Sequence, residues 1–221
     1  MRTLGRLVWK EALVESRGLE RASTLLFFGA AVLITLQFAL PPGAEARPLA
    51  AGGFAWATLL LASMLEVRRT FDSERRDATL DGLRAAPVDP VLILSSKLLA
   101  SLVLLGALAA VVVPVTAVLF GGDLTRVLEA IGVAVLGLVG VLGWGLLLGA
   151  MSGQTRSGEL VVPVLLFGLL VPQTIACVRL LGHLLGGAHL ESTLTGYVIL
   201  IGFDLVSVGT SIVLFDYALE E

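Results

Sequence analysis

Cysteine is almost missing from this sequence: Cys177 is the only one in 221 residues. That excludes an intramolecular disulfide, a Cys-x-x-Cys redox pair and a c-type haem attachment site. Lysine is nearly as scarce, with only Lys10 and Lys97, and neither follows a glycine. No G-x-x-x-x-G-K-[ST] loop exists, so the chain holds no ATP by a P-loop. His-Glu-x-x-His, a Gly-x-Ser-x-Gly elbow and paired carboxylates suited to a pocket are also absent, which leaves an enzyme reading without a catalytic set. Charged residues make up 15% of the chain and sit in clusters. The net charge of -3 matters less than where those clusters fall.

Between them lie apolar blocks. The apolar class reaches 57% of positions, against about 45–50% in soluble domains. Lipid is the expected solvent. A run of about 18 or more apolar residues can cross a bilayer as a helix, and six stretches near that length are present: Thr24 to Leu40, Leu49 to Leu65, Leu98 to Phe120, Val127 to Met151, Leu160 to Val178 and Leu194 to Phe215. Ala44-Glu45-Ala46 resembles a small-x-small cleavage site, but the 23 residues before the first run are too long and too mixed in charge for an ordinary signal peptide. The first span is therefore expected to remain. Cys177 falls in the fifth and is expected to be buried and inert.

Basic residues give these spans a direction, because Lys and Arg collect on the cytoplasmic side. Arg2, Arg6, Lys10, Arg17 and Arg21 precede span one, six more lie between Arg68 and Lys97, and Arg156 follows span four. Only Arg47, Arg126 and Arg179 fall on the opposite side. Both termini are thus expected in the cytoplasm. At 100° per residue the five N-terminal basic residues share one arc of about 100°, with Leu4, Leu7, Val8, Ala12 and Val14 opposite. Residues 1–22 are expected to form an amphipathic helix on the membrane surface, within one transmembrane domain of residues 1–221. Glu11 and Glu15 interrupt its apolar side.

The connection Glu66 to Lys97 is the only long polar one. Span two is expected to run on past the membrane surface into Arg68, Arg69 and Phe71. A short helix is predicted from Asp77 to Ala86: Asp77 suits an N-cap, Leu80 and Leu83 share a face, and Pro87 disfavours helix at Ala86. Gly82 costs such a helix about 1 kcal/mol relative to Ala. It is expected to dock on a partner.

Here Phe71-Asp72-Ser73-Glu74, Asp77-Ala78-Thr79-Leu80, Leu83, Pro87-Val88 and Lys97 follow a pattern F-x-x-E, D-G-T-L, L-x-x-x-P-V, K. Around the fifth span stand Arg156, Gly158, Val162-Pro163 and Val171-Pro172. The chain resembles the CcmB-type permeases, the haem exporter protein B subunits of the cytochrome c maturation ABC complex, over essentially its whole length. Ala78 stands where the family usually has Gly, and Gly82 where a larger residue is common. The resemblance implies an all-α polytopic fold of ABC-2 permease type with six spans, in the bacterial inner membrane. It also implies that Glu74 to Pro87 is a coupling helix seated in a groove of a separate ATPase, with Phe71, Glu74, Asp77, Leu80, Leu83, Arg84 and Pro87 at that contact.

The partners so implied are a CcmA-type ATPase that supplies ATP hydrolysis, CcmC- and CcmD-type membrane subunits, a haem chaperone indirectly, membrane lipid, and a second permease copy as an option. Nucleic acid is not among them. Haem is implied as a substrate rather than a resident cofactor, and no metal site is expected.

Asp204 lies within span six, where an ionisable group usually faces protein or water. It is the candidate intramembrane functional residue, expected to line a path or to pair with Arg179 or another subunit. His183 and His189 fall in the loop expected after span five, but the resemblance assigns haem ligation mainly to partner subunits. Glu66 and Glu159 read as interfacial. Gly145, Gly149 and Gly153 form a small-x-x-x-small ladder for close helix packing, and Pro114, Pro163 and Pro172 are expected to kink or break spans three and five. Two other functions fit the same spans: an ABC-2 exporter permease for a lipid, drug or polysaccharide precursor, and a non-transporting membrane scaffold.

Overall fold

In lipid a helix satisfies its own backbone hydrogen bonds, and the apolar blocks fold accordingly. The computed structural model describes residues 18–41, 47–76, 90–152, 168–186 and 193–220, which form six principal helices and no strands. They are α1 Gly18–Ala39, α2 Arg47–Arg76, α3 Pro90–Phe120, α4 Val127–Ser152, α5 Val171–Gly186 and α6 Thr193–Glu220. Five of them, all but α5, are long and apolar enough to cross a membrane. The chain is a multi-pass membrane protein.

Three apolar runs, in α1, α4 and α6, fall within about two residues of where the sequence places them, and the run in α3 ends at Phe120 as expected but starts at Val91 rather than Leu98. The second crosses as Ala50–Thr70, longer than expected at its far end, and its helix continues to Arg76. At 1.5 Å per residue α2 is about 45 Å long, against a hydrocarbon core of about 30 Å. Its last residues, Phe71 to Arg76, lie past that apolar segment, whereas Arg68 and Arg69, expected beyond it, fall inside it.

Lys97 was expected in the polar connection but sits two turns inside α3, buried. Glu66, expected at the interface, is buried in α2. Both charges thus lie within the packed ends of the helices that flank residues 77–89, and that shorter segment is what joins α2 to α3. The predicted helix Asp77 to Ala86 and the N-terminal residues 1–17 lie outside the described residues.

The fifth span reaches further than expected: the apolar run Leu160 to Val178 predicts an end at Val178, and α5, Val171–Gly186, continues to Gly186. Gly168 and Leu169 just before it are helical too, and residues 160–167 lie outside the described residues. Pro172 fits a first turn, where its missing N–H costs no hydrogen bond. Sixteen residues make only about 24 Å, and Gln173, Arg179 and His183 interrupt the apolar surface. His183 and Arg179, expected in a loop, are helical. Pro114 does not end α3, which continues through it to Phe120.

Side chains fix how the helices run. Gly52 of α2 meets the backbone of Leu181 and Gly182 of α5, Trp56 meets Gly137 of α4, and Val67 meets Gly145. Gln173 of α5 reaches Gly140, while Cys177 reaches Gly137. Tyr197 of α6 bonds Glu129, and Ser211 bonds Gly143. So α2, α4 and α6 run one way and α5 runs the other, with α4 packed against α2, α3, α5 and α6.

The α3 to α4 turn shows how tightly one end is closed. Gly121 adopts φ 71° after the last residue of α3, a conformation that suits glycine. Its N–H donates to the Val118 carbonyl, and the Gly122 N–H donates to the Ala117 carbonyl at 2.7 Å. This pair of bonds is a Schellman cap. The next N–H, of Asp123, donates to the Leu185 carbonyl at 2.7 Å and ties the turn to the end of α5.

Candidate functional site

Four buried polar side chains in the bundle, Gln173, Asp204, Ser207 and Ser211, gather on one seam. Asp204, Ser207 and Ser211 recur at i, i+3 and i+7, so they share one face of α6, and all three are buried. That face meets a glycine face of α4. The Ser207 hydroxyl donates to the Gly140 carbonyl at 2.7 Å. The Ser211 hydroxyl contacts the Gly143 carbonyl and the Ser207 carbonyl, both at 2.8 Å.

Asp204 sits at the head of this ladder with 6% of its surface exposed. Its partner is Gln173 of α5, fully buried, whose Nε2 donates to Asp204 Oδ1 at 3.0 Å and also to the Gly137 carbonyl. One amide thus bridges three helices. The expected pairing of Asp204 with Arg179 is not what forms: Arg179 is exposed on another face of α5.

Glycine makes this possible. A Cβ on Gly140 would run into Asp204 Oδ1 and Gln173 Nε2, and one on Gly143 into the Ser207 hydroxyl. A Cβ on Gly137 would come within 2.5 Å of Cys177 Sγ and 2.6 Å of the Trp56 ring. Cys177 is buried there, as expected from its place in an apolar run. Of the glycine ladder anticipated from sequence, Gly145 lies against Val67, and Gly153 is outside the described residues. The more polar glycine face is one turn earlier, at Gly137, Gly140 and Gly143.

Gln173, Ser207 and Ser211 were not anticipated as site residues. The 204, 207, 211 spacing was the available signal, since three polar groups at helical period in an apolar span mark a protein-facing stripe. Gln173 offered no such pattern.

A second polar group closes the other end of the bundle. Arg126 donates through Nε and Nη2 to Glu129 Oε2 at 3.2 and 3.0 Å, and the Tyr197 hydroxyl donates to Glu129 Oε1 at 3.1 Å. Arg126 Nη1 lies 3.3 Å from His183 Nε2. Nearby, the Thr125 hydroxyl and N–H both donate to Asp123 Oδ1, at 2.7 and 2.8 Å, which holds the Asp123 carboxyl below its ordinary range. Among the described residues no group of three His, Cys, Asp or Glu side chains could hold a metal ion.

The segment expected to meet an ATPase is described only at its approach. Phe71 and Glu74 are in the last turns of α2. Asp77, Leu80, Leu83, Arg84 and Pro87 lie outside the described residues, as do Glu159, Pro163 and His189. The structure therefore supplies the two helices that frame the segment and no geometry for its contacts.

The family model described as CcmB protein matches residues 2–220. A search of curated proteins returns no match. A family match over nearly the entire chain is decisive, and the chain belongs to the CcmB family.

Proposed function

We propose that this CcmB-family chain is the permease subunit of an ABC system for cytochrome c maturation. It couples hydrolysis of ATP by a separate CcmA-type subunit to the export of haem or its release from a chaperone. The observation that carries this reading is the family match over residues 2–220, on a chain whose described part is an all-helical membrane bundle. CcmC- and CcmD-type membrane subunits complete the assembly in this reading.

Three features support the mechanical part. The chain has no P-loop, so work done on ATP must arrive from outside it. Helix α2 projects beyond its apolar segment to Arg76, and α3 begins at Pro90, so residues 77–89 hang between two helices that lead directly into the core. Buried Glu66 and Lys97 sit on those same helices, where a shift at the segment is passed into packed side chains rather than lost to solvent. Packed elements of this sort move as units, because interiors are not continuously deformable.

The fold also supports six passages of the chain. Helices α4 and α6 run in the same direction, so the chain returns across the bundle between Ser152 and Thr193. In this reading both termini and residues 77–89 face the cytoplasm and the Arg126 cluster faces outward, an orientation supported by the basic-residue bias.

The coupling assignment is tested by charge reversal, D77R with R84E, in the full chain with its ATPase. The intact chain is expected to co-purify the ATPase and stimulate its hydrolysis, and the reversed chain to do neither. Unchanged co-purification and hydrolysis would remove residues 77–89 from the interface.

A further inference from the structure

The buried Asp204–Gln173 contact has an imbalance of donors and acceptors. If Asp204 is a carboxylate, the side-chain donors within reach of its two oxygens, Gln173 Oε1 and the Gly137 carbonyl are the two N–H groups of Gln173. Two bonds form, to Asp204 Oδ1 and to Gly137. Asp204 Oδ2 and Gln173 Oε1 are left as buried oxygens without a donor. In a protein interior such atoms are rare, and within a bilayer no water is at hand to relieve them. Among the described residues no ion pair reaches Asp204.

A single proton resolves both atoms. Placed on Asp204 Oδ2, it turns one orphan acceptor into a donor, and Gln173 Oε1 is the acceptor left over for it. With Nε2–H···Oδ1 such a bond would close an eight-membered acid–amide ring. Three donors then serve three acceptors.

We propose that Asp204 and Gln173 form a charge-free acid–amide pair that positions α5 and α6 on the glycine face of α4. The useful property of Asp204 is then its hydrogen bonding, and a carboxylate charge is not required. The location suits a positioning role. Gln173 stands in the first turn of α5, where the chain enters the helix after Leu170, and Asp204 heads the serine ladder of α6. Gly140 sets both against the α4 backbone, so a displacement of α4 is felt by α5 and α6 at one point. The inference concerns the pair alone and stands apart from what the permease transports.

Isosteric exchanges decide it, because they keep shape and change only protons. D204N keeps enough donors: its Oδ1 accepts from Gln173 and its amide donates to Gln173 Oε1. Q173E leaves two neutral acids with two donors for three acceptors, or ionises and adds repulsion. The double exchange D204N/Q173E restores one acid and one amide with their places swapped.

In full-length protein in native membranes, D204N is expected to match the wild type in folded yield and melting temperature. Q173E is expected to lower the folded yield several-fold, and the double exchange to recover most of that loss. Covalent haem in c-type cytochromes should follow the same order. A fall with D204N as large as that with Q173E would overturn the proposal by showing that the charge is needed. A double exchange no better than Q173E would overturn it too. Yield and melting report on the pair even if the chain proves to serve another substrate, so failure of the functional reading and failure of this inference remain distinguishable.

Discussion

Helices α1 and α4 are both apolar enough to span the membrane, yet only 17% of the α1 span is buried within the chain against 61% of the α4 span. The outward side of α1 carries Phe27, Ile34 and Phe38, large side chains exposed to the surroundings. The inward sides of α4 carry Gly137, Gly140, Gly143 and Gly145, each of which admits a neighbour that a methyl group would displace. Lipid rewards bulk and is indifferent to fit. Between helices, where lipid gives no hydrophobic preference, close van der Waals contact and hydrogen bonds set the association. Hydropathy alone makes the two spans alike, while their mechanical roles differ.

The contrast breaks if substitutions at these two places cost the same. The largest effect is expected at a close approach of the same kind, Gly52→Ala, because the new Cβ would fall on the backbone of Leu181 and Gly182. Backbone cannot rotate away, so α2 and α5 must part, at about 3 kcal/mol or more. Thermal melting of the purified chain measures it, and an unshifted melting temperature would show that the two helices are not in register as described.

Gly140→Ala comes next. Its Cβ meets side-chain atoms of Asp204 and Gln173, which can shift at the cost of their bonds. A loss of about 1–3 kcal/mol is expected, with a matching fall in membrane-inserted protein. If Gly140→Ala is silent while Gly52→Ala is not, the polar seam is looser than the α2–α5 contact.

Ser207→Ala is smaller still. It removes one hydroxyl from the Gly140 carbonyl, and bonds of this type between membrane helices average about 0.6 kcal/mol. The other side of the comparison supplies the smallest change. Ile34→Ala on the exposed side of α1 should stay within about 0.5 kcal/mol. A larger loss there would mean that another protein surface, rather than lipid, covers α1.

The sequence made the spans readable because length and apolarity are additive along the chain. Val127 to Met151 and Leu194 to Phe215 needed no knowledge of neighbours. The end of the fifth span was harder to read, because Arg179 and His183 interrupt the apolar run while the helix continues through them to Gly186. The seam was half legible. Asp204 stands out as a charge in an apolar span, and Ser207 and Ser211 follow it at helical period. Gln173 does not stand out, since its importance comes from its contact with Asp204 and Gly137. Nor could the glycines be ranked, because α4 has glycine on more than one face and only packing distinguishes Gly140 from the open Gly132. His183 illustrates a third limit: its ring meets Arg126, fifty-seven residues away.

The most direct test of the functional account is removal of the chain followed by haem staining of c-type cytochromes. The account predicts that covalent haem disappears from those cytochromes, returns with the intact chain, and does not return with the D77R and R84E chain. Normal staining in the absence of the chain would contradict it.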